Sequence, residues 1–212
     1  MSPAILLEAR RLAAQRGNAR LFAGIEFTLA TGEALVVTGA NGSGKTTLLR
    51  IVAGLTIPAE GEIRWRGKAT HPFDAHLREA VAFNGHSPAL KDELSAEENL
   101  DAWTRLYDRR LAHERIVDAL DGVGLFRQRR LPVRVLSQGQ RRRIGLARLA
   151  LVRRTLWVLD EPLTALDAQA SGVLGALLDA HLDAGGLCVA ASHQPLPIAA
   201  DRARGLVLGE PA

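Results

Sequence analysis

A single cysteine, Cys188, occurs among the 212 residues. An intrachain disulfide is therefore impossible, and a zinc site built from cysteines is excluded. The thiol lies in the apolar run Leu187–Ala191, where it is expected to act as a small buried hydrophobe. No stretch approaches the roughly 20 apolar residues needed to cross a bilayer. The opening Met1-Ser2-Pro3 leads into mixed acidic and basic residues, without the apolar core of a secretory signal. A soluble, cytoplasmic protein is expected, so that any membrane part is supplied by a partner. Internal repeats, low-complexity tracts and heptad runs are also absent, which excludes solenoids and coiled coils.

What is present suits one well-cored domain with room for a small subdomain: 47% of residues are hydrophobic and 24% charged. The formal net charge of +4 fits docking on an anionic membrane face or binding a nucleotide. It does not separate these from nucleic-acid binding, nor from an excess of arginine on solvated helices.

Apolar spacing predicts strands at 5–12 and 22–29, joined by the polar segment Gln15-Arg16-Gly17-Asn18. Ala34–Thr38 reads as a buried strand, followed by a helix from Lys45 to Ala53 that Gly54 and Pro58 punctuate. Glu62–Arg66 and Ala80–Phe83 read as further strands. Helical spacing dominates roughly 88–150, with segments 95–107 and 110–121, a Ser95/Glu98 capping box, and a third helix starting near Ser137. The remainder alternates: strand 155–160, helix 168–183, strand 187–192, short helix 195–201, strand 204–208. Such alternation predicts an α/β fold with a mainly parallel sheet, antiparallel strands at the N-terminus and an inserted helical subdomain.

Gly39-Ala40-Asn41-Gly42-Ser43-Gly44-Lys45-Thr46 fits G-x-x-x-x-G-K-[ST], between a predicted strand and a predicted helix. The glycines let successive N–H groups turn toward phosphate oxygens, and the helix adds its positive end. Lys45 is placed to reach the β- and γ-phosphates and the Thr46 hydroxyl to ligate Mg²⁺, with Thr47 beside it among the nucleotide-binding residues. Leu156-Trp157-Val158-Leu159-Asp160-Glu161 is an apolar strand ending in two acids. It delivers Asp160 to the carboxyl edge of the sheet as a direct or indirect Mg²⁺ partner. Glu161 then faces the attacking water as general base. A helix N-cap is the alternative use of an Asp-Glu pair after a strand. The guanine-reading N-K-x-D motif is absent.

Leu136-Ser137-Gln138-Gly139-Gln140 resembles the signature of the ATP-binding cassette family, with Gln138 replacing a glycine. The resemblance implies that Ser137, Gly139 and Gln140, at a helix start, bind the γ-phosphate held by the opposite subunit of a homodimer. An ordinary N-cap is the bland reading of Ser137. Ala165-Leu166-Asp167 resembles the family's D-loop, so Asp167 is expected to face the partner subunit. His193, at the end of a strand, matches the histidine that senses the γ-phosphate. Together the matches run from residue 5 to residue 208.

Two positions depart from the family pattern. Where an aromatic residue commonly stacks on adenine, this chain has Arg16, so base contact falls to a guanidinium. Where the family has a glutamine after a strand, this chain has His86. Mg²⁺ prefers oxygen, so His86 is expected to hydrogen-bond a metal-bound water or to sense closure. The segment Gly85-His86-Ser87-Pro88-Ala89-Leu90-Lys91 with Glu98-Asn99-Leu100, and the arginines at 141–143, resemble the CcmA-type ATPases of the haem exporter for cytochrome c maturation. That resemblance implies a CcmB-type membrane subunit, CcmC-, CcmD- and CcmE-type proteins, and a place on the cytoplasmic face of the inner membrane. It leaves open a transporter ATPase for another substrate, a soluble cassette ATPase of nucleic acid or ribosomes, and a non-enzymatic nucleotide-binding regulator.

Overall fold

The computed structural model describes residues 4–106 and 111–209, which divide into two compact units. The first holds the chain up to Asn84, residues 154–162 and the segment from 178 onward; the second holds 85–153 and 163–177. Met1–Pro3, and Tyr107 and Arg110 at the expected helix ends, lie outside the described residues.

The first unit begins with β1 (Ile5–Arg16), β2 (Ala19–Ala30), β3 (Ala34–Gly39), α1 (Lys45–Val52), β4 (Glu60–Trp65), β5 (Lys68–Ala69), α2 (Ala75–Ala80) and β6 (Val81–Asn84). It is completed by β7 (Leu156–Asp160), β8 (Leu187–Ala191) and β9 (Ala203–Leu208). One sheet is antiparallel in the order β2-β1-β4-β5, and the other has the order β6-β7-β8-β3-β9 with parallel pairing throughout. All five residues of β7 and of β8 are buried, as expected for central strands covered on both faces. Leu7, Leu12 and Ile63 of the antiparallel sheet share one core with Leu48 and Leu49 of α1 and with Val37, Val158 and Val189 of the parallel sheet.

Several differences from the sequence reading have local causes. β1 runs to Arg16 rather than ending at 12, because a bulge at Arg10 and Arg11 breaks the alternation. Its registers against β2 and β4 both shift there, and Arg11 has φ 45. Beyond the bulge Leu12, Ala13 and Ala14 are all buried. In place of the helix expected at 195–201 there is a single 3₁₀ turn, Ala200–Arg202. Pro195 and Pro197 each withdraw a backbone donor and push the preceding residue toward extended backbone. The six-residue α2 was not expected; Asp74 caps it by accepting from the N–H groups of His76 and Leu77.

The second unit contains α3 (Ala96–Leu106), α4 (His113–Gly122), α5 (Gln138–Leu151) and the start of α6 (Ala168–Asp183). The Ser95/Glu98 capping box forms in both directions, at 2.8 and 3.2 Å, and the Ser95 N–H, followed by the Ser95 hydroxyl, holds the Glu98 carboxyl below its ordinary pKa. The buried Asn99 amide donates to the carbonyls of Lys91, Leu94 and Ser95 and accepts from the Lys91 N–H. It thereby fastens the turn that leads into α3. Among the described residues no helix is long and apolar enough to cross a membrane.

Beneath β7, within the first unit, the His181 ring stacks on Trp157 with centroids 4.0 Å apart and planes at 8°. Its Nε2 lies 3.0 Å from the Leu187 carbonyl oxygen and so carries the proton. Burial pushes the imidazole below its ordinary pKa of 6.5. As pH falls through 6.5, the unfolded chain therefore takes up the proton first, and stability drops until the folded-state pKa is passed. His181→Phe keeps an aromatic stack without the titration. We expect it to lose less stability than the wild type between neutral and mildly acidic pH, as read from denaturant midpoints. Equal acid sensitivity of the two proteins would remove His181 as a source. Cys188 is fully buried, and burial pushes its thiol up to about 12, in keeping with a hydrophobe rather than a nucleophile.

Candidate active site

The phosphate-loop sequence occupies the turn between β3 and α1. Gly44 has φ 94, and a Cβ there would sit 2.9 Å from the Phe22 ring and 3.1 Å from Leu21. The start of β2 thus packs directly on the loop, and only glycine satisfies both the backbone conformation and the close approach. Lys45 is 9% exposed, and its ammonium donates to the carbonyl oxygens of Gly39 and Ala40 at 2.8 and 3.0 Å. These are neutral partners that phosphate oxygens can replace with charged ones. Asn41 and Gly42 are exposed at the loop's crest, while the buried Ser43 hydroxyl has no hydrogen-bond partner among the described residues.

In the parallel sheet β8 lies between β7 and β3, so the carboxyl ends of three adjacent strands bring their residues together. The Thr46 hydroxyl donates to Asp160 Oδ2 at 2.9 Å, linking the first turn of α1 to the end of β7. Asp160 is only 4% exposed. Glu161 follows with φ 51, a left-handed conformation that costs a glutamate roughly 1–3 kcal/mol. Its N–H donates to the Ala191 carbonyl oxygen at 2.9 Å, which fixes the turn against the end of β8. From β8 the chain passes through the buried Ser192, whose hydroxyl holds Gln194 by two hydrogen bonds. His193 then reaches back so that its Nε2 is 3.4 Å from Glu161 Oε1. Ser192 was not singled out from the sequence, where it reads as one more small residue at a strand end.

These groups fit a magnesium nucleotide. Thr46 and Asp160 form an all-oxygen pair suited to Mg²⁺, which takes few protein ligands and keeps water and phosphate oxygens. The unpartnered Ser43 hydroxyl lies in the same loop. Thr47 is half-buried on the first turn of α1. Arg16 ends β1 as an exposed guanidinium opposite Ala19, on the hairpin whose second strand packs against Gly44.

In the second unit Ser137 caps α5 through a complete capping box with Gln140: each residue's backbone N–H donates to the other's side chain, at 2.9 and 3.2 Å. The bland role expected for Ser137 is therefore observed, and it orients the positive end of a 14-residue helix. A Cβ on Gly139 would approach the Ala165 carbonyl oxygen to 3.1 Å, so glycine lets the 163–167 turn lie close against the start of α5. Asp167 accepts from the Ala170 N–H, which caps α6 and holds the carboxyl below its ordinary pKa, and it also pairs with Arg143. Ser137, Gly139, Gln140, Arg143 and Asp167 line one concavity of about 290 Å³. Arg143 was read only as part of an arginine run; its place there is visible only once α5 is formed. His86 is exposed and lines a separate groove of about 420 Å³ with Asp92, Gln138 and Arg141. Two of the three departures from the cassette pattern, His86 and Gln138, thus line the same groove.

Residues 22–164 match the family model described as ABC transporter. The chain is 45% identical over 204 residues to the cytochrome c biogenesis ATP-binding export protein CcmA of Dechloromonas aromatica, covering 96% of this chain and all of that protein. It is 47% identical over 193 residues to the Pseudomonas aeruginosa protein of the same description, covering 91% and 95% of the two chains. Among solved structures, it resembles an ATP-binding protein of an ABC transporter from Pyrococcus furiosus, with TM-score 0.80, 26% identity and 95% and 96% coverage. It also resembles a dimeric ATP-binding cassette in a post-hydrolysis state bound to ADP and phosphate, with TM-score 0.75, 25% identity and 89% and 88% coverage.

Proposed function

This chain belongs to the ABC transporter family and to the CcmA proteins within it, and we propose that it is the ATP-hydrolysing subunit of the haem exporter of cytochrome c biogenesis. Identity of 45% along the whole of a CcmA relative and 96% of this chain is the observation that carries this reading. The whole chain acts as one nucleotide-binding domain. Lys45 leaves the carbonyls of Gly39 and Ala40 to neutralise the β- and γ-phosphates of ATP, and the loop's N–H groups hold the remaining oxygens. Thr46 and Asp160 hold Mg²⁺, which supplies charge neutralisation at the phosphate oxygens. Glu161 Oε1 takes the proton of the attacking water, and His193 orients water and carboxylate together.

Two copies pair head to tail, so that the Ser137–Gln140 helix start and Asp167 of one complete the phosphate site of the other. Closure around ATP and reopening after hydrolysis form the two-state element that a membrane partner converts into work. CcmB-type, CcmC-type and CcmD-type proteins are the proposed membrane partners and a CcmE-type chaperone the recipient of haem, with the chain peripheral on the cytoplasmic face of the inner membrane. Deletion of the gene tests this. Covalent haem staining should show the loss of c-type cytochromes, b-type haem proteins should persist, and a plasmid copy should restore the pattern. Unchanged c-type cytochromes in the deletion strain would reject the haem-exporter assignment and leave the cassette ATPase.

A further inference from the structure

Charge is unevenly distributed along the second unit. Between Gly122 and Leu159 the chain has ten arginines and no aspartate or glutamate, although its overall charge is only +4; the remainder is therefore net acidic. Several of these guanidinia are committed. Arg129 pairs with Glu97 at 2.8 Å, Arg141 with Asp92 at 3.2 Å and Arg143 with Asp167, while Arg142 and Arg148 are buried. Arg127 and Arg134 are exposed and make no ion pair among the described residues, and the Arg130 side chain is 74% exposed with Glu97 3.8 Å away. Each of these arginines has an exposed apolar residue next to it in the chain: Phe126 at 45%, Leu131 at 45% and Val135 at 61%. The segment is a succession of turns closed by N–H bonds from Gln128 to Leu125, Leu131 to Gln128 and Val135 to Pro132. Buried Leu125 and Val133 anchor it, and the exposed residues are left to solvent.

We propose that residues 126–135 form a docking surface for an anionic lipid bilayer, with Arg127, Arg130 and Arg134 on lipid phosphates and Leu131 and Val135 in the interfacial hydrocarbon. This does not rest on the ATPase reading. Guanidinium forks match phosphate geometry, and basic segments carrying apolar side chains bind membrane interfaces through both components together. A nucleic acid fits less well. Bases stack on open aromatic faces, whereas the Phe126 ring is covered by the Arg129 guanidinium at 4.1 Å and Leu131 and Val135 offer no face to stack on.

Sedimentation of the full chain, without nucleotide, with vesicles of phosphatidylcholine alone or in equal parts with phosphatidylglycerol tests the proposal. Binding is expected only to the mixed vesicles. The triple variant Arg127→Glu, Arg130→Glu, Arg134→Glu should weaken it on the order of a hundredfold. Phe126→Ser with Leu131→Ser and Val135→Ser should weaken it at unchanged charge. Circular dichroism and thermal denaturation like those of the wild type show that both variants are folded. Failure of the wild type to bind the mixed vesicles, or unchanged binding by the charge variant, overturns the proposal. So does polyuridylate binding at least as tight as vesicle binding and unaffected by the apolar variant, which would assign the surface to nucleic acid.

Discussion

Replacing Glu161 by glutamine should lower ATP hydrolysis on the order of 10²-fold or more while leaving ATP binding intact. The amide has the shape of the carboxylate but cannot accept the proton of the attacking water. The phosphate loop, Lys45 and the Thr46–Asp160 pair are untouched, so the ground-state contacts to nucleotide persist. The turn itself is held by the Glu161 N–H bond to the Ala191 carbonyl and by the buried β7 strand, neither of which involves the carboxylate. A variant that binds but cannot turn over should accumulate as a closed dimer with ATP, visible by size-exclusion chromatography. Single-turnover release of phosphate measures the chemical step, and an unchanged rate there removes Glu161 from the mechanism.

The parts of this site that could be read from the sequence are those whose chemistry demands a fixed local order. A loop that wraps phosphate needs glycines, a lysine and a hydroxyl at set spacing, so Gly39–Thr46 stands out as a candidate before any fold is known. β7 and β8 are recognisable because strands covered on both faces are runs of apolar residues, broken in β7 only by the terminal Asp160. The capping box at Ser95 is a four-residue signal and formed as read. What was hidden depends on longer-range geometry. The bulge at Arg10 and Arg11 disguised half of β1, because one extra residue inverts the alternation that marks a strand. The left-handed backbone of Glu161 is set by the β7 and β8 ends that flank it, and nothing in the residue's type announces it. Arg143 meets Asp167 only after α5 and the 163–167 turn have folded, and a run of three arginines does not say which one is used. His86 and Gln138, far apart in the chain, line one groove through the path of the backbone after β6.

Replacing Lys45 by alanine should abolish hydrolysis without unfolding the protein. The loop's path is set by the glycine conformations and by the packing of Leu21 and Phe22 on Gly44, whereas the lysine contributes two hydrogen bonds to neighbouring carbonyls. At about 0.5–1.5 kcal/mol each, rising somewhat for a charged donor, their loss lowers stability but leaves the fold. In the proposed mechanism the same ammonium is the charge that stabilises the transferring phosphoryl group, and neither Thr46 nor the helix end would replace it. Circular dichroism and thermal denaturation should therefore report a folded protein in which steady-state phosphate release falls to background. Introduced into a strain lacking the wild-type gene, this variant should fail to restore c-type cytochromes while b-type haem proteins remain. Haem should stay bound to the membrane chaperone if ATP drives its release rather than its loading. Full restoration of c-type cytochromes by the hydrolysis-dead variant would separate ATP turnover from cytochrome assembly and reject the proposed coupling.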